Sequence, residues 1–422
     1  MGLAAVITIG CRLNQSEGDA LRTLLQKDGN QIVTNIFHRP DDSDNLQDNS
    51  FSNQSLDTVL VNTCAVTERA SRTSIKWMRR CAGLRPKPRL VITGCLATTE
   101  PERLKIISGV DEVIGQPDKV KLIENCPILP SRTRAFLKIQ DGCKNHCTYC
   151  LPSQIRGSPI SKPIHRVEHE FKDLVAKGYL EIVLVGLNLG AYGMDLGKSL
   201  VNLLEILTKI KGEFRIRLGC LEPDVFDDRI LERFEEFHLC RHLHIPLQSG
   251  DDKILKLMRR KYTVVQYQKL IDKIIGCVPD INIGSDLVVG FPGEDELSFN
   301  HTLNFIRNLP LGYLHVFPYS PRPGTKAFTI PETVNHKKKK ERVKILRELS
   351  QEKSFYYRQR FLKKVLRVIT EPKSWAVADN YIRIFITGGD KGNGTGKLVE
   401  TLITGITIDR TFGEILHRVD NN

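Results

Sequence analysis

Three cysteines, Cys143, Cys147 and Cys150, share the ten-residue stretch DGCKNHCTYC, with spacing C-x3-C-x2-C. Their number restricts the chemistry. Closed structural zinc takes four protein ligands, and no clear fourth lies within reach; His146 is adjacent to Cys147, which makes joint ligation awkward. A redox disulfide of the C-x-x-C kind leaves the third thiol without a role. A 4Fe–4S cluster held by three thiolates is the reading the spacing favours. Such clusters generally take four, so a fourth iron left open implies chemistry at that iron.

A second set is scattered along the chain. Cys11, Cys64 and Cys95 each follow an apolar run: AAVITIG, TVLVNTC and RLVITGC. If these runs are parallel strands, the three thiols collect at the carboxyl edge of one sheet, where open α/β sheets bind their ligands. A lone buried cysteine is usually a small hydrophobe. Three at equivalent strand ends are a candidate ligand set.

The elements that must position these residues alternate. In the first part, strands at AAVITIG, TVLVNTC, RLVITGC and DEVIG enclose helical patterns at SEGDALRTLLQKDG and ERASRTSIKWMRRC, with Ser16 as a candidate N-cap and Gly29 as a stop. Residues 39–57 are polar and aperiodic, as in a surface insertion. From about Arg132, further strand and helix patterns repeat through YLHVFPYS, which predicts a parallel sheet curled into a full or partial barrel. Such barrels carry their chemistry at strand C-termini, and the cysteine triad follows the strand RAFLKIQDG. A long basic helix starts at HKKKKERVK, and short strands beyond Lys364 predict a small all-β barrel suited to RNA. The expected organisation is an α/β domain over 1–127, a partial barrel over 128–357 and a β-barrel over 358–422.

Composition bounds the partners. The 422 residues carry a formal charge of +13, which favours a polyanion through counterion release. Eleven cysteines without a secretory leader point to a reducing cytoplasm and to metal or catalytic roles. The apolar start MGLAAVITIGC has no Lys or Arg and is too short for an export signal. No apolar run approaches the roughly 18 residues of a membrane span, so no membrane partner is expected.

At this point the residues carry a resemblance. Cys143, Cys147 and Cys150, with Tyr149 before the last, resemble the signature of the radical S-adenosylmethionine enzymes. The stretches TIGCRLNQSE, VNTCAVTERASR, ITGCLA, DGCKNHCTYCLPSQIRG, VLVGLNLGAYG, HIPLQSGDD, DLVVGFPGE and LHVFPYSPRPGT run in the order of the methylthiotransferases and span nearly the whole chain. The resemblance implies two 4Fe–4S clusters, one on Cys143, Cys147 and Cys150 and one on Cys11, Cys64 and Cys95. It implies S-adenosylmethionine as cofactor, a radical that removes hydrogen from adenine C2, and a sulfur and a methyl group added there. It further implies a tRNA substrate, a low-potential electron donor, a sulfur source and a terminal domain of the TRAM type. The stretches GCRLNQSE and VNTCAVTERASR are most similar to the branch acting on N6-threonylcarbamoyladenosine beside the anticodon. The isopentenyladenosine branch and the branch modifying ribosomal protein S12 are the nearer rivals. A non-catalytic iron–sulfur protein that binds RNA or carries electrons is the rival from another class.

Single residues follow. Gln248 and Asp286 are polar in apolar strands and are candidates for the cofactor's ribose and adenine. Gly186 and Gly190 in VGLNLG would let backbone approach the cofactor, and Tyr149 sits within the cluster loop. Glu222 in CLEPD is a candidate to orient cofactor or substrate, or to pair with the nearby Arg217. Arg156 is a cation close to the cluster loop, and Arg322 is a candidate for a phosphate or carboxylate. Lys162 stands where the family often has Arg, which forfeits a bidentate fork. Cys81, Cys126, Cys220, Cys240 and Cys277 match no family ligand position and read as structural. The strand bearing Cys220, however, ends in the barrel crevice.

Overall fold

The computed structural model describes residues 2–33, 55–128, 130, 132–388 and 394–418. Of the expected insertion, 39–54 lie outside the described residues. By contacts the chain forms two compact units. One comprises Met1–Ser131 with Cys150–Ser158, the other Arg132–Tyr149 with Pro159–Asn422. The division falls inside the cysteine triad, between Tyr149 and Cys150.

The first unit is a five-stranded parallel sheet. Its strands are β1 (Leu3–Thr8), β2 (Gln31–Ile32), β3 (Thr58–Thr63), β4 (Arg89–Gly94) and β5 (Glu112–Ile114), in the order β2-β1-β3-β4-β5. Helices α1 (Arg12–Lys27), α2 (Glu68–Ala82), α3 (Cys95–Thr99), α4 (Pro101–Lys105) and α5 (Gln116–Ile123) alternate with them, and α6 (Pro152–Arg156) returns to the unit. Residues along β1, β3 and β4 alternate between two apolar layers. Ala5, Val59, Val61, Leu90 and Ile92 join one with Trp77 and Leu96. Ala4, Val6, Leu60 and Val91 join the other with Leu21 and Leu25. Both faces are covered, which is why these strands read as continuous apolar runs rather than alternating ones. The Thr67 side chain accepts from the Ala70 amide and starts α2.

The second unit begins with β6 (Ala135–Lys138) and the small pair β7 (Gln140–Asp141) and β8 (Ile160–Ser161). Parallel strands β9 (Glu181–Val185), β10 (Arg215–Leu218), β11 (His242–His244), β12 (Asn282–Val289) and β13 (Tyr313–Pro318) follow. They alternate with α7 (Ile164–Ala176), α8 (Leu200–Leu207), α9 (Arg229–Glu232), α10 (Asp252–Leu257), α11 (Val264–Cys277) and α12 (Glu296–Asn308). Two three-stranded sheets, β6-β9-β10 and β11-β12-β13, are joined by parallel bridges Ile216–Leu239 and Cys220–His244. Spatial order therefore equals chain order across six strands, the expected partial barrel. Helix α13 (His336–Gln359) leads to a closed barrel of β14 (Val365–Glu371), β15 (Trp375–Ala378), β16 (Arg383–Ile386), β17 (Leu398–Ile406) and β18 (Thr411–Arg418), around Val368, Ala376, Ile384 and Val399.

A buried ionic knot closes the amino ends of the parallel strands. Glu181 takes Arg217 Nε at 2.7 Å and Nη2 at 2.9 Å, Arg215 Nε at 2.8 Å, and Arg134 Nη1 at 3.6 Å. Arg217 also donates to the Ala378 and Asp379 carbonyls and lies over the Tyr381 ring. Burial disfavours the Glu181 carboxylate, yet the arginines, Arg217 first, hold it well below the usual range. The alternative that Arg217 pairs with Glu222 is thus not realised. Arg217 serves the end opposite the crevice and anchors the terminal barrel.

Candidate functional site

The N-terminal thiols sit where the strands end. Cys11 precedes α1, Cys64 follows β3, and Cys95 opens α3 directly after β4. Gly10 has φ +108°, and a Cβ there would lie 2.7 Å from Cys64 Sγ, so only glycine lets this turn pass the sulfur. Cys64 and Cys95 are buried, whereas Cys11 is exposed. Burial, and then the neighbouring Cys11, push the Cys64 thiol up to about 12; Arg156 opposes them. Burial also raises Cys95, against Arg156 and Lys119. Cys95 also contributes to the rise of Cys64, and Cys11 to that of Cys95. Such thiols ionise when a metal takes their protons' place, so the donor set suits a sulfur-rich metal cluster.

Beneath them lies a polar network. Lys119 Nζ, fully buried, reaches Glu17 Oε2 at 2.5 Å, Asn62 Oδ1 at 3.1 Å and Asn14 Oδ1 at 3.3 Å. Arg156 donates to Glu17 Oε1 at 2.8 Å and Oε2 at 3.0 Å. Asn14 Nδ2 donates to the Ile9 carbonyl at 2.6 Å and the Thr63 carbonyl at 3.2 Å. Asn14, Glu17 and Lys119 carry no motif that marks them in the sequence. The trace of the first two is the stretch RLNQSE, which places five polar residues in the first turns of α1.

In the second unit the cluster loop is held by its backbone. Thr148 donates from its amide to Met258 O at 3.1 Å and from Oγ1 to Leu257 O at 2.9 Å. Cys143 Sγ accepts from the Asn145 amide at 3.4 Å and Asn188 Nδ2 at 3.9 Å; Cys147 Sγ accepts from Arg260 Nη1 at 3.3 Å. N–H donors aimed at sulfur are what iron–sulfur sites use to tune their charge. Burial raises both thiols, with Arg260 the strongest opposing charge on Cys147. Arg260 also pairs with Glu222, and its Nε donates to Tyr262 Oη at 3.0 Å. Burial raises the Glu222 carboxyl against that cation. Asn188 Oδ1 is buried and has no hydrogen-bond partner. An acceptor left unsatisfied beside Cys143 is a ready contact for a cofactor's ammonium.

The strand ends bring further residues together. Asp286 Oδ1 lies 2.9 Å from His244 Nε2 and 3.2 Å from His315 Nδ1. Burial would raise this carboxyl, but the two imidazoles, His244 first, hold it below the usual range. The side-chain donors of Cys220, His244 and Asp286 lie within 4.8 Å of one another, so Cys220 does face the crevice. Gln248 adopts φ 70° and pairs through its backbone with Asp286 and Val288. Tyr149 packs edge-on to Phe291, centroids 6.3 Å apart.

The remaining candidates are placed as follows. A Cβ on Gly186 would lie 2.8 Å from Gln140 Oε1, and one on Gly190 would lie 2.8 Å from Val225. Both glycines are thus required by packing within the chain. Lys162 is held by Glu170 at 2.7 Å. Arg322 is buried rather than solvated, and Cys81 and Cys240 are buried thiols. On α13, Lys339 and Arg342 are buried against Glu332 and Glu294, so part of this basic run is internal. No described helix is long and apolar enough to cross a membrane.

The comparisons with known proteins agree with this arrangement. The radical SAM superfamily matches residues 137–306, and uncharacterized protein family UPF0004 matches residues 4–115. A threonylcarbamoyladenosine tRNA methylthiotransferase MtaB of Thermotoga maritima is 32% identical over 426 residues, 94% of this chain and 93% of that one. The tRNA-2-methylthio-N(6)-dimethylallyladenosine synthase of Fusobacterium nucleatum is 31% identical, covering 89% of each. A radical S-adenosylmethionine methyltransferase, TsrM, from Kitasatospora setae shares the fold at TM-score 0.58 and 15% identity, covering 78% of this chain and 77% of that one. The fold and the family match therefore define a radical S-adenosylmethionine enzyme, a class whose fold implies one 4Fe–4S cluster. Within that class, the chain belongs to the radical SAM methylthiotransferase family.

Proposed function

We propose that this enzyme methylthiolates C2 of N6-threonylcarbamoyladenosine next to a tRNA anticodon, using two 4Fe–4S clusters. The observation that carries the two-cluster reading is the convergence of Cys11, Cys64 and Cys95, from three separate strand ends, on one sheet edge. Similarity to MtaB-type relatives supports the threonylcarbamoyl substrate, and the synthase-type relatives keep the isopentenyl base as the second reading.

In this reading Cys143, Cys147 and Cys150 hold the cluster whose chemistry, when bound, is one-electron cleavage of S-adenosylmethionine. The chain's own part is placement. Asn188 Oδ1 is the acceptor for the cofactor's ammonium. Arg260, fixed by Tyr262 and Glu222, holds a cation at Cys147. Gln248, Asp286, Glu222 and Tyr149 are the residues that orient cofactor and base. Fixing both reactants in one geometry is where most of the rate comes from. The basic balance and the terminal barrel suit a tRNA partner in a cytoplasmic setting, with a low-potential donor and a sulfur source.

Nucleoside mass spectrometry of tRNA from cells with and without this gene tests the reading. Loss of only the 2-methylthio form of threonylcarbamoyladenosine supports it. Loss of the isopentenyl counterpart moves the substrate. No change in either overturns the tRNA assignment and directs attention to ribosomal protein S12.

A further inference from the structure

We propose that Lys119 is a positioning residue for the N-terminal cysteine site. It clamps the strand ends that carry the thiols, and its buried charge raises the reduction potential of what they bind. The inference rests on the reading that Cys11, Cys64 and Cys95 hold a cluster.

Lysine is almost never fully buried unless paired, because an ammonium taken out of water loses its hydration. Lys119 is 0% exposed, in the first turn of α5. Its three donors are matched by three acceptors: Glu17, Asn62 and Asn14. Each acceptor belongs to an element that delivers a cysteine. Asn62 is in β3, two residues before Cys64, while Asn14 and Glu17 are in the first turns of α1, just after Cys11. Asn62 Nδ2 returns a bond to the Asn14 carbonyl at 2.9 Å. The third cysteine is reached by packing. A Cβ on Gly94, the residue before Cys95, would lie 2.7 Å from Asn62 Oδ1 and 2.4 Å from Thr63 O. One ammonium thus sits at the junction of all three thiol-bearing turns.

The location also has an electrostatic consequence. A cluster held by thiolates gains negative charge on reduction. A cation fixed nearby in a low-dielectric interior favours the reduced form. Glu17, shared by Lys119 and Arg156, acts in the opposite sense. A clamp without an electrostatic role would use the same hydrogen bonds and leave the potential unchanged.

The test uses the full chain carrying Cys143→Ala, Cys147→Ala and Cys150→Ala, so that only the N-terminal site is read. Iron and sulfide are measured first, then the potential by electron paramagnetic resonance titration. Lys119→Met, which keeps length and removes charge, is expected to shift the potential negative, and Lys119→Arg to restore it. Glu17→Gln is expected to shift it positive, which keeps the test available should the lysine variants fold poorly. Opposite signs from the two neutralisations support the inference. Equal potentials at retained iron, or shifts of one sign in both, overturn it. Absence of iron from the parent chain instead overturns the two-cluster reading itself.

Discussion

The two cysteine triads solve the same problem by different means. Cys143, Cys147 and Cys150 lie within eight residues of one loop, and the first two take N–H donors directly on sulfur from Asn145, Asn188 and Arg260. Cys11, Cys64 and Cys95 are spread over 85 residues and owe their meeting to parallel strand pairing. Their neighbouring cations, Lys119 and Arg156, share the Glu17 carboxylate. A loop triad is adjustable by its neighbours' side chains. A strand-end triad is fixed by the sheet, so its tuning comes from charge buried underneath.

The largest expected effects separate the triads by step. Cys147→Ala should abolish both cleavage of S-adenosylmethionine to 5′-deoxyadenosine and methylthio product. Cys64→Ala should abolish product while leaving cleavage measurable. On the two-cluster reading each should lose about half of the bound iron. Cleavage lost in both variants would break the division of labour.

Next comes the other end of the barrel. Glu181→Gln leaves Arg217 buried without its anion and should cost about 3–5 kcal/mol in denaturant unfolding. The pH dependence has a definite sign. The folded carboxyl is depressed, so its contribution is complete above its unfolded value of about 4.3 and declines as pH falls towards the folded one. The wild type should therefore lose more stability on acidification below pH ~4.5 than the variant. Assembly of the N-terminal cluster should be unaffected, which sharpens the contrast between the stabilising and reactive ends.

Smaller effects test the crevice and the surface. Asn188→Ala removes the proposed hydrogen bond to the cofactor, worth about 0.5–1.5 kcal/mol, along with the long contact to Cys143 Sγ. It should weaken S-adenosylmethionine binding by roughly 2- to 12-fold in calorimetry, without loss of iron. Lys340→Glu with Lys344→Glu, on the exposed part of α13, should weaken tRNA binding several-fold at low salt and flatten the slope of log affinity against log salt. An unchanged slope would place the RNA surface elsewhere.

Legibility in the sequence followed the range of the interactions. The alternation of strands and helices is written in local periodicity, and strand order equal to chain order in the barrel made its topology the simple one. The cysteine loop is local and was readable from spacing. Pairings over long distances were not. Arg217 lies five residues from Glu222 but points to Glu181 at the amino ends, because successive residues of a strand face opposite sides and the bridge Cys220–His244 carries the chain towards the crevice. Glu222 instead meets Arg260, whose place is set by the turn after α10. Gly186 and Gly190 invited a cofactor reading because glycine marks any close approach. Gln140 and Val225 also stand within 3 Å of where their Cβ atoms would be, a packing demand that no local pattern shows.

By itself the sequence determined which residues could do chemistry: two sets of three thiols, one on a loop and one at strand ends, in an α/β chain with a basic excess. Thiol count and spacing are covalent facts, and apolar periodicity commits each segment to one kind of element. Only the tertiary structure decided the electrostatics. Whether a lysine is a solvated cation or a buried one depends on what the fold removes from water. Lys119 meets Glu17 across 102 residues of chain only because α5 returns beside α1 at the sheet's carboxyl edge.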